Sequence, residues 1–351
     1  NRTREFGWHK VSLTNAGRAD PVLSAQAAIL LDAQTGQVLW EHNSTARMYP
    51  ASLTKMMTGL LAVETRRLEQ VYYASEAAAK TGESSIALQK GEALKLQQVL
   101  RAALIKSAND ATVMVAESVA GSVPAFVQMM NDRAQAMGLT GTHFTNPHGL
   151  HDPDHYSTAA DLAQIARQGM LNPTFARIVG TREAVIPWAG KPWMRKLVNR
   201  NRLLLRWDEC DGVKTGYTRH AGRCLAASAT MEGWRLICVV LKCRDSWSDA
   251  ETLLRWGPLN YQRQRVAWTG DTFRVPVRRG ARVDQPWRQP RAHRDAPGGA
   301  PGGRVACPRA PGRPLNVRRR GARRRCRGPG PSGLRTARSD ARRAGLRRYA
   351  R

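Results

Sequence analysis

Apolar residues near the start of the chain follow the spacing of two strands and then of a helix. The apolar run Ala27–Leu31, the turn residues Asp32–Gly36 and the returning segment Gln37–Trp40 predict a β-hairpin. From Ser52 onward, apolar residues recur every three or four positions, which predicts a helix. Those residues are Leu53, Met56, Met57, Leu60 and Leu61.

The middle of the chain has the periodicity of helices separated by polar breaks. Residues 92–119 carry two helical stretches interrupted at Lys106–Asp110, and residues 124–137 form a third stretch followed by a glycine. A further helix is predicted over Ser157–Met170, with Ser157 as its N-cap. We therefore expect an all-helical subdomain over roughly residues 75–175.

The last third of the folded region returns to strands. Two apolar runs, Cys224–Ala229 and Leu236–Leu241, flank Met231–Gly233 and predict a second hairpin, and a final helix is expected over Ser248–Trp256. Strands therefore stand at both ends and helices between them. This order predicts an α+β fold, an antiparallel β-sheet flanked by helices with an inserted all-helical subdomain.

Composition divides the chain into two unlike parts. Of its 351 residues 42% are hydrophobic, enough for a sizeable core, and the formal net charge is +29. Residues 276–351 contain 23 Arg and 3 Asp but neither Lys nor Glu, together with 10 Pro and 11 Gly. This segment alone carries a net charge of +20, so the charge of the whole chain says little about the partners of its body.

The expected organisation has four segments. Residues 1–21 are an irregular N-terminal segment, 22–262 a catalytic domain, 263–283 the start of a truncated small β-domain, and 284–351 a low-complexity tail. The tail composition is typical of an out-of-frame reading of GC-rich DNA. A disordered basic arm that associates with a membrane surface or an anionic wall polymer is the second interpretation, and nucleic acid is not an expected partner.

Three short motifs that carry chemistry occur in a fixed order. They are Ser52-Leu53-Thr54-Lys55, Ser107-Ala108-Asn109 and Lys214-Thr215-Gly216. The first lies at the head of a predicted helix, the second at the break between two helices, and the third in a predicted strand. A second Lys-Thr-Gly triplet at residues 80–82 runs into a polar loop and is interpreted as a surface turn.

The residue types in these motifs suit nucleophilic catalysis. Residues three apart share a helix face, so Lys55 is expected to lie over Ser52. A lysine can take the proton of a serine hydroxyl if burial and a nearby cation, here Lys214, lower its pKa. Ser107 can relay a proton to a leaving group, and the amide of Asn109 can hold the lysine or a substrate amide.

The chain resembles the serine-type D-alanyl-D-alanine carboxypeptidases, the low-molecular-mass penicillin-binding proteins, over about residues 22–283. The matching stretches are Tyr49–Thr58, Ser107–Ala111, Asn146–Leu150, Tyr156–Leu162 and Asp211–Thr218. The resemblance implies an extracytoplasmic hydrolase that removes the terminal D-Ala from peptidoglycan stem pentapeptides and is acylated by β-lactams. It implies no cofactor and no metal, and the signal peptide of such an enzyme is expected to lie outside this sequence.

The same resemblance assigns roles to the motif residues. It makes Ser52 the residue that forms the acyl-enzyme, Lys55 the general base and Ser107 the third catalytic residue. The residues it assigns to substrate binding are Asn109, Lys214, Thr215, Gly216, Tyr217, Thr218 and Arg244. It also implies an oxyanion hole made by the backbone N–H groups of Ser52 and Tyr217.

Some features depart from the family pattern or allow a different interpretation. Arg244 fits the first arginine that such enzymes carry after the last core strand, but the second is missing. A catalytically weak penicillin-binding or sensing protein and a β-lactamase-like hydrolase therefore remain alternatives, although Gln168 stands where a deacylating Glu would be needed.

The histidines of residues 143–156 are interpreted as a hydrogen-bonded structural loop rather than a metal site.

Overall fold

The computed structural model describes the backbone of residues 7–13, 19–268, 272–275 and 283–286, and the side chains of residues 19–263. In chain order the strands are β1 (Gly7–Leu13), β2 (Ala27–Asp32), β3 (Val38–His42), β4 (Val71–Tyr73), β5 (Ala93–Lys95), β6 (Glu183–Ile186), β7 (Arg195–Val198), β8 (Cys210–Thr218), β9 (Gly222–Met231), β10 (Trp234–Cys243), β11 (Tyr261–Trp268), β12 (Thr272–Val275) and β13 (Val283–Pro286). The α-helices are α1 (Lys55–Glu64), α2 (Glu76–Lys80), α3 (Leu96–Arg101), α4 (Asn109–Ala120), α5 (Val123–Ala136), α6 (Ala159–Met170), α7 (Pro173–Val179), α8 (Leu203–Arg206) and α9 (Ser246–Asn260).

A five-stranded antiparallel sheet organises the fold. Its strand order is β3-β2-β10-β9-β8, so both predicted hairpins are confirmed. The N-terminal hairpin joins the C-terminal strands where β2 pairs with β10, with Ile29 opposite Val239. The helices that lie between β3 and β8 in sequence form the inserted subdomain, and the predicted α+β architecture is confirmed.

Both faces of the sheet are buried, which explains why the sequences of its strands are continuous apolar runs. On one face Ile29 and Val239 belong to the large core shared with the inserted helices. On the other face Leu30 and Val240 pack in a second core with Leu253 of α9. Successive residues of a strand point to opposite faces, so a strand covered on both sides needs apolar residues at every position.

Several boundaries differ from the prediction. Helix α6 is capped by Thr158, whose hydroxyl accepts the Asp161 N–H at 3.0 Å, while Ser157 bridges to Met48. The predicted all-helical region contains the short strand β5, paired with β4. The final helix is longer than expected and is capped by Asp245.

The N-terminal segment contains regular structure that was not predicted. Strand β1 pairs antiparallel with β11, where an irregular segment was expected over residues 1–21. The sequence of β1, Gly7–Leu13, gives only a weak strand signal because polar residues interrupt it. In residues 263–283, predicted as the start of a small β-domain, the structure has most of β11 and all of β12. Strand β13 extends to Pro286, into the predicted tail over residues 284–351, and residues 287–351 lie outside the described residues.

No single helix within the described ranges is long and apolar enough to cross a membrane. The bent pair α4 and α5 meets the length and composition criteria only when the two helices are taken together, and they are bent by 81° at their junction.

Candidate active site

The predicted nucleophile lies on a tight turn at the start of α1. Ser52 belongs to a 3₁₀ turn over Ala51–Thr54, and α1 begins at the next residue, Lys55. The backbone of Ala51 adopts φ +48°, in the left-handed region that a residue with a side chain rarely occupies. Such strained positions concentrate at active sites, where the surrounding structure holds them in place.

Lys55 contacts the nucleophile directly and is fully buried. Its Nζ lies 2.9 Å from Ser52 Oγ, 2.8 Å from Asn109 Oδ1 and 2.7 Å from the carbonyl oxygen of His148. The last two partners can only accept hydrogen bonds, whereas a serine hydroxyl can also donate one. A neutral lysine has two N–H groups and one lone pair, so it satisfies all three partners when the lone pair accepts the Ser52 hydroxyl.

The electrostatics of the site favour that neutral form. Burial lowers the pKa of Lys55 well below its ordinary value, and the charges of Lys214 and Arg200 lower it further. Burial, followed by the charge of Arg200, lowers the pKa of Lys214 to about 7. The structure therefore brings together the two lysines whose proximity the motifs predicted.

The second motif ends the π-helical turn that follows α3. Ser107 adopts φ +63°, and α4 begins two residues later at Asn109. The side-chain amide nitrogen of Asn109 donates to the carbonyl oxygen of Gly82 at 3.1 Å. The backbone N–H of Asn109 donates to the carbonyl oxygen of Ser84 at 2.6 Å. Asn109 therefore fixes both Lys55 and the loop at residues 82–84.

The third motif lies on β8, an edge strand of the central sheet. Lys214 Nζ donates to the carbonyl oxygen of Thr215 at 2.9 Å. A Cβ built on Gly216 would lie 3.1 Å from the carbonyl oxygen of Pro50 and 3.2 Å from the backbone nitrogen of Ser52. The absence of a side chain at Gly216 thus lets β8 approach the nucleophile turn closely.

All three motifs open on one cleft of about 920 Å³. Its lining includes the predicted residues Ser52, Ser107, Asn109, Thr215, Gly216, Tyr217 and Thr218. Lys55 and Lys214 lie beneath that lining, where each is almost completely buried. The spacing of the motifs in the sequence therefore corresponds to one compact group of side chains.

Arg244 is the predicted site residue that the cleft does not include. It borders a separate depression with Ser24 and Asp249. Its predicted contact with a substrate carboxylate is not supported by this placement.

Arginines that the sequence did not single out line the cleft instead. They are Arg200, Arg202 and Arg223. Arg200 and Arg202 follow β7 in a stretch without clear periodicity, and Arg223 follows the turn between β8 and β9, so no pattern marked them. The guanidinium of Arg202 packs over the Trp247 ring at 5.1 Å, and the side chain of Arg223 donates to the carbonyl oxygen of Arg244.

The loop at residues 143–156 packs against the nucleophile turn and is hydrogen-bonded as predicted. His148 supplies the carbonyl oxygen that Lys55 contacts, and its ring accepts the Leu150 N–H at 3.2 Å. Burial, with the charge of Lys55, lowers the pKa of His148 to about 3. The buried ring of His155 bonds to Thr54 at 2.8 Å. Within the described residues no group of three His, Cys, Asp or Glu is arranged to hold a metal ion.

Comparisons with known proteins agree with this geometry. The family model described as D-alanyl-D-alanine carboxypeptidase, peptidase S11, matches residues 14–245. The chain is 40% identical over 223 residues to the D-alanyl-D-alanine carboxypeptidase DacF of Bacillus subtilis, a match that covers 62% of this chain and 57% of that protein. The chain thus spans little more than half the length of this relative.

Solved structures show the same similarity. A D-alanyl-D-alanine carboxypeptidase from Mycobacterium tuberculosis superposes with a TM-score of 0.66 at 31% identity, covering 72% of this chain and 98% of that one. Penicillin-binding protein 5 from Haemophilus influenzae superposes with a TM-score of 0.63 at 35% identity, covering 69% of this chain and 72% of that one. With two thirds of its sequence matched by the family model, the chain belongs to the peptidase S11 family of D-alanyl-D-alanine carboxypeptidases.

Proposed function

We propose that this protein is a serine D-alanyl-D-alanine carboxypeptidase. Its substrate is the peptidoglycan stem pentapeptide, from which it removes the terminal D-Ala through an acyl-enzyme on Ser52. β-Lactams acylate the same hydroxyl. Because peptidoglycan lies outside the cytoplasm, the protein acts on the extracytoplasmic side.

One observation carries this proposal: a fully buried lysine contacts a serine hydroxyl on a strained turn at the edge of a cleft. Lys55 Nζ lies 2.9 Å from Ser52 Oγ, within the range a general base needs. Burial lowers the pKa of this lysine well below its ordinary value, and the charges of Lys214 and Arg200 lower it further, which favours the neutral amine that a general base requires.

The proposed reaction has two steps. Ser52 Oγ attacks the carbonyl carbon of the scissile bond while its proton passes to Lys55, and a proton returned by way of Ser107 allows D-Ala to leave as an amine. A water molecule then attacks the acyl-enzyme ester, which releases the shortened peptide and restores the hydroxyl. The backbone N–H groups of Ser52 and Tyr217 bind the oxyanion in both steps.

Positive charge at the cleft suits a substrate that ends in a carboxylate. We expect Lys214 and Thr215 to bind that carboxylate, and Arg200, which lines the cleft and lowers the pKa of Lys214, adds a positive charge to the same region. The free edge of β8 can pair with an extended peptide, and Gly216 lets this strand lie close to the turn that carries Ser52. Asn109 and Thr218 complete the binding surface.

The test combines a covalent label with a turnover assay. Wild type is expected to bind fluorescent penicillin covalently and to release D-Ala from diacyl-Lys-D-Ala-D-Ala, whereas Ser52→Ala should do neither. Ser84→Ala, at another hydroxyl that lines the cleft, is the matched control and should still be labelled. Labelling without D-Ala release would indicate a penicillin-binding or sensing protein, and rapid loss of the label would indicate a β-lactamase-like hydrolase. Equal labelling of Ser52→Ala would refute the proposal.

A further inference from the structure

A chain of buried hydrogen bonds connects the nucleophile turn to the loop at residues 143–156. The Thr54 hydroxyl donates to the carbonyl oxygen of Ala51 at 2.8 Å, and the same hydroxyl oxygen lies 2.8 Å from Nε2 of His155. Nδ1 of His155 lies 3.1 Å from the backbone nitrogen of Thr145, whose N–H it accepts. The chain therefore runs from the loop backbone, through one imidazole and one hydroxyl, to the residue that precedes Ser52.

The partners of the imidazole decide its tautomer. A backbone N–H can only donate, so Nδ1 of His155 must act as an acceptor toward Thr145. The proton of the neutral ring therefore resides on Nε2, which donates to Thr54 Oγ1. The Thr54 hydroxyl, having accepted this bond, uses its own hydrogen for Ala51. Every donor in the chain thus has one acceptor, and the direction of the chain is fixed.

Burial keeps this arrangement constant. His155 is only 2% exposed, and burial lowers its pKa to about 4, so the ring is neutral at the pH of any ordinary assay. The ring of Phe144 packs against it with centroids 5.6 Å apart. Bonds in such a dry site are worth more than exposed ones because water does not compete for their donors and acceptors.

The chain ends at a residue whose backbone needs support. Ala51 is in the left-handed region at φ +48°, a conformation that a residue with a side chain keeps only where the surrounding structure holds it. The orientation of the Ala51 peptide determines where the Ser52 side chain begins. A turn that relaxes would move Ser52 Oγ away from Lys55 Nζ.

We propose that His155, acting through Thr54, is a positioning residue that holds the strained Ala51 turn in the geometry required for attack by Ser52. The imidazole exchanges no proton with substrate and touches no reacting atom. Its effect is on the rate of acylation and not on substrate binding. This inference rests on the proposed function, since it concerns the attack of the same hydroxyl.

The experiment removes the hydroxyl that links His155 to the turn. Thr54→Val keeps the side-chain shape and deletes both hydrogen bonds, whereas Thr54→Ser retains the hydroxyl. Stopped-flow acylation by a penicillin separates the binding constant from the first-order acylation rate. We expect Thr54→Val to lower the acylation rate about 10- to 100-fold with an unchanged binding constant. This is the loss in rate expected when the nucleophile is displaced by up to about 1 Å. Thr54→Ser should restore most of the rate.

Thr58→Val provides a matched control. The Thr58 hydroxyl is equally buried, lies one turn further along α1, and donates to the carbonyl oxygen of Pro147 in the same loop at 2.7 Å. A purely structural role for these bonds predicts that both valine variants melt earlier and that neither changes the acylation rate of the folded enzyme. The positioning role predicts a slower rate for Thr54→Val alone.

A second variant tests the imidazole itself. His155→Phe removes both ring nitrogens, while His155→Gln keeps an amide N–H that can reach Thr54, and the glutamine should recover part of the rate that phenylalanine loses. An unchanged acylation rate in Thr54→Val, or an equal loss in Thr58→Val, overturns the inference while wild type still reacts. Failure of wild type itself to be acylated or to release D-Ala would instead refute the proposed function.

Discussion

Gly149 gives the sharpest steric test of the nucleophile turn. It adopts φ +86°, and a Cβ at this position would lie 2.5 Å from the carbonyl carbon of Ala51, closer still to its oxygen, and 2.8 Å from Thr54 Oγ1. Because Cβ atoms essentially never approach other heavy atoms within 3.0 Å, Gly149→Ala must displace the turn that carries Ser52. The loop cannot absorb this displacement without cost, since its neighbouring residues are hydrogen-bonded to α1.

The size of the effect follows from that overlap. The backbone must shift by about 1 Å, and a misplacement of this size at a reacting group costs on the order of 10²-fold in rate, equivalent to about 2.7 kcal/mol of activation free energy. The left-handed φ adds about 1–2 kcal/mol of destabilisation for any residue with a Cβ. We therefore expect Gly149→Ala to be acylated about 100-fold more slowly and to unfold at a lower denaturant concentration.

Gly91→Ala separates the two contributions. Gly91 adopts φ +79°, but nothing lies within 4 Å of the Cβ that alanine would add. Gly91→Ala should therefore lower the free energy of unfolding without lowering the acylation rate. Stopped-flow labelling and urea denaturation of both variants measure the two quantities. The reasoning is wrong if Gly149→Ala reacts at the wild-type rate, or if Gly91→Ala loses as much activity.

Further predictions concern charge. The positive charge of Arg200 lowers the pKa of Lys55, so Arg200→Gln should raise that pKa. Because the base must be neutral, the acid limb of kcat/KM against pH should then move to higher pH, and an unmoved limb would contradict the electrostatic account. Glu92→Gln leaves the guanidinium of Arg195, only 5% exposed, without its carboxylate partner and should lower the free energy of unfolding by about 3 kcal/mol in a urea titration. Glu183→Gln breaks an exposed ion pair and should cost under about 1 kcal/mol; equal losses would show that burial does not set the cost.

Sequence patterns predicted the architecture because the sheet is buried on both faces. Continuous apolar runs such as Ala27–Leu31 and Leu236–Leu241, with turn residues on their flanks, are typical of strands that are covered on both sides. The three motifs predicted the centre of the site for a related reason. The chemistry of these motifs requires Ser52, Lys55 and Lys214 to lie close together. Residues far apart in the sequence could therefore be predicted to be neighbours in the fold.

Other parts of the site are not marked by any local sequence pattern. The place of Arg200 in the cleft depends on where the chain runs after β7, and the role of His155 depends on a contact with Thr54, 101 residues away in the sequence. Arg244 is predicted from its position after the last core strand, but a position in the sequence does not determine which surface depression the side chain borders. Strand β1 was missed because its partner, β11, lies at the other end of the folded region.

The central claim is that Ser52, activated by Lys55, forms the covalent intermediate. The most direct measurement is mass spectrometry of the penicillin-treated protein, followed by peptide mapping of the adduct. The account predicts one penicilloyl group per chain on the peptide that contains Ser52, and no adduct in Lys55→Ala within the time in which wild type reacts completely. An adduct on any other residue, or full labelling of Lys55→Ala at the wild-type rate, would contradict it.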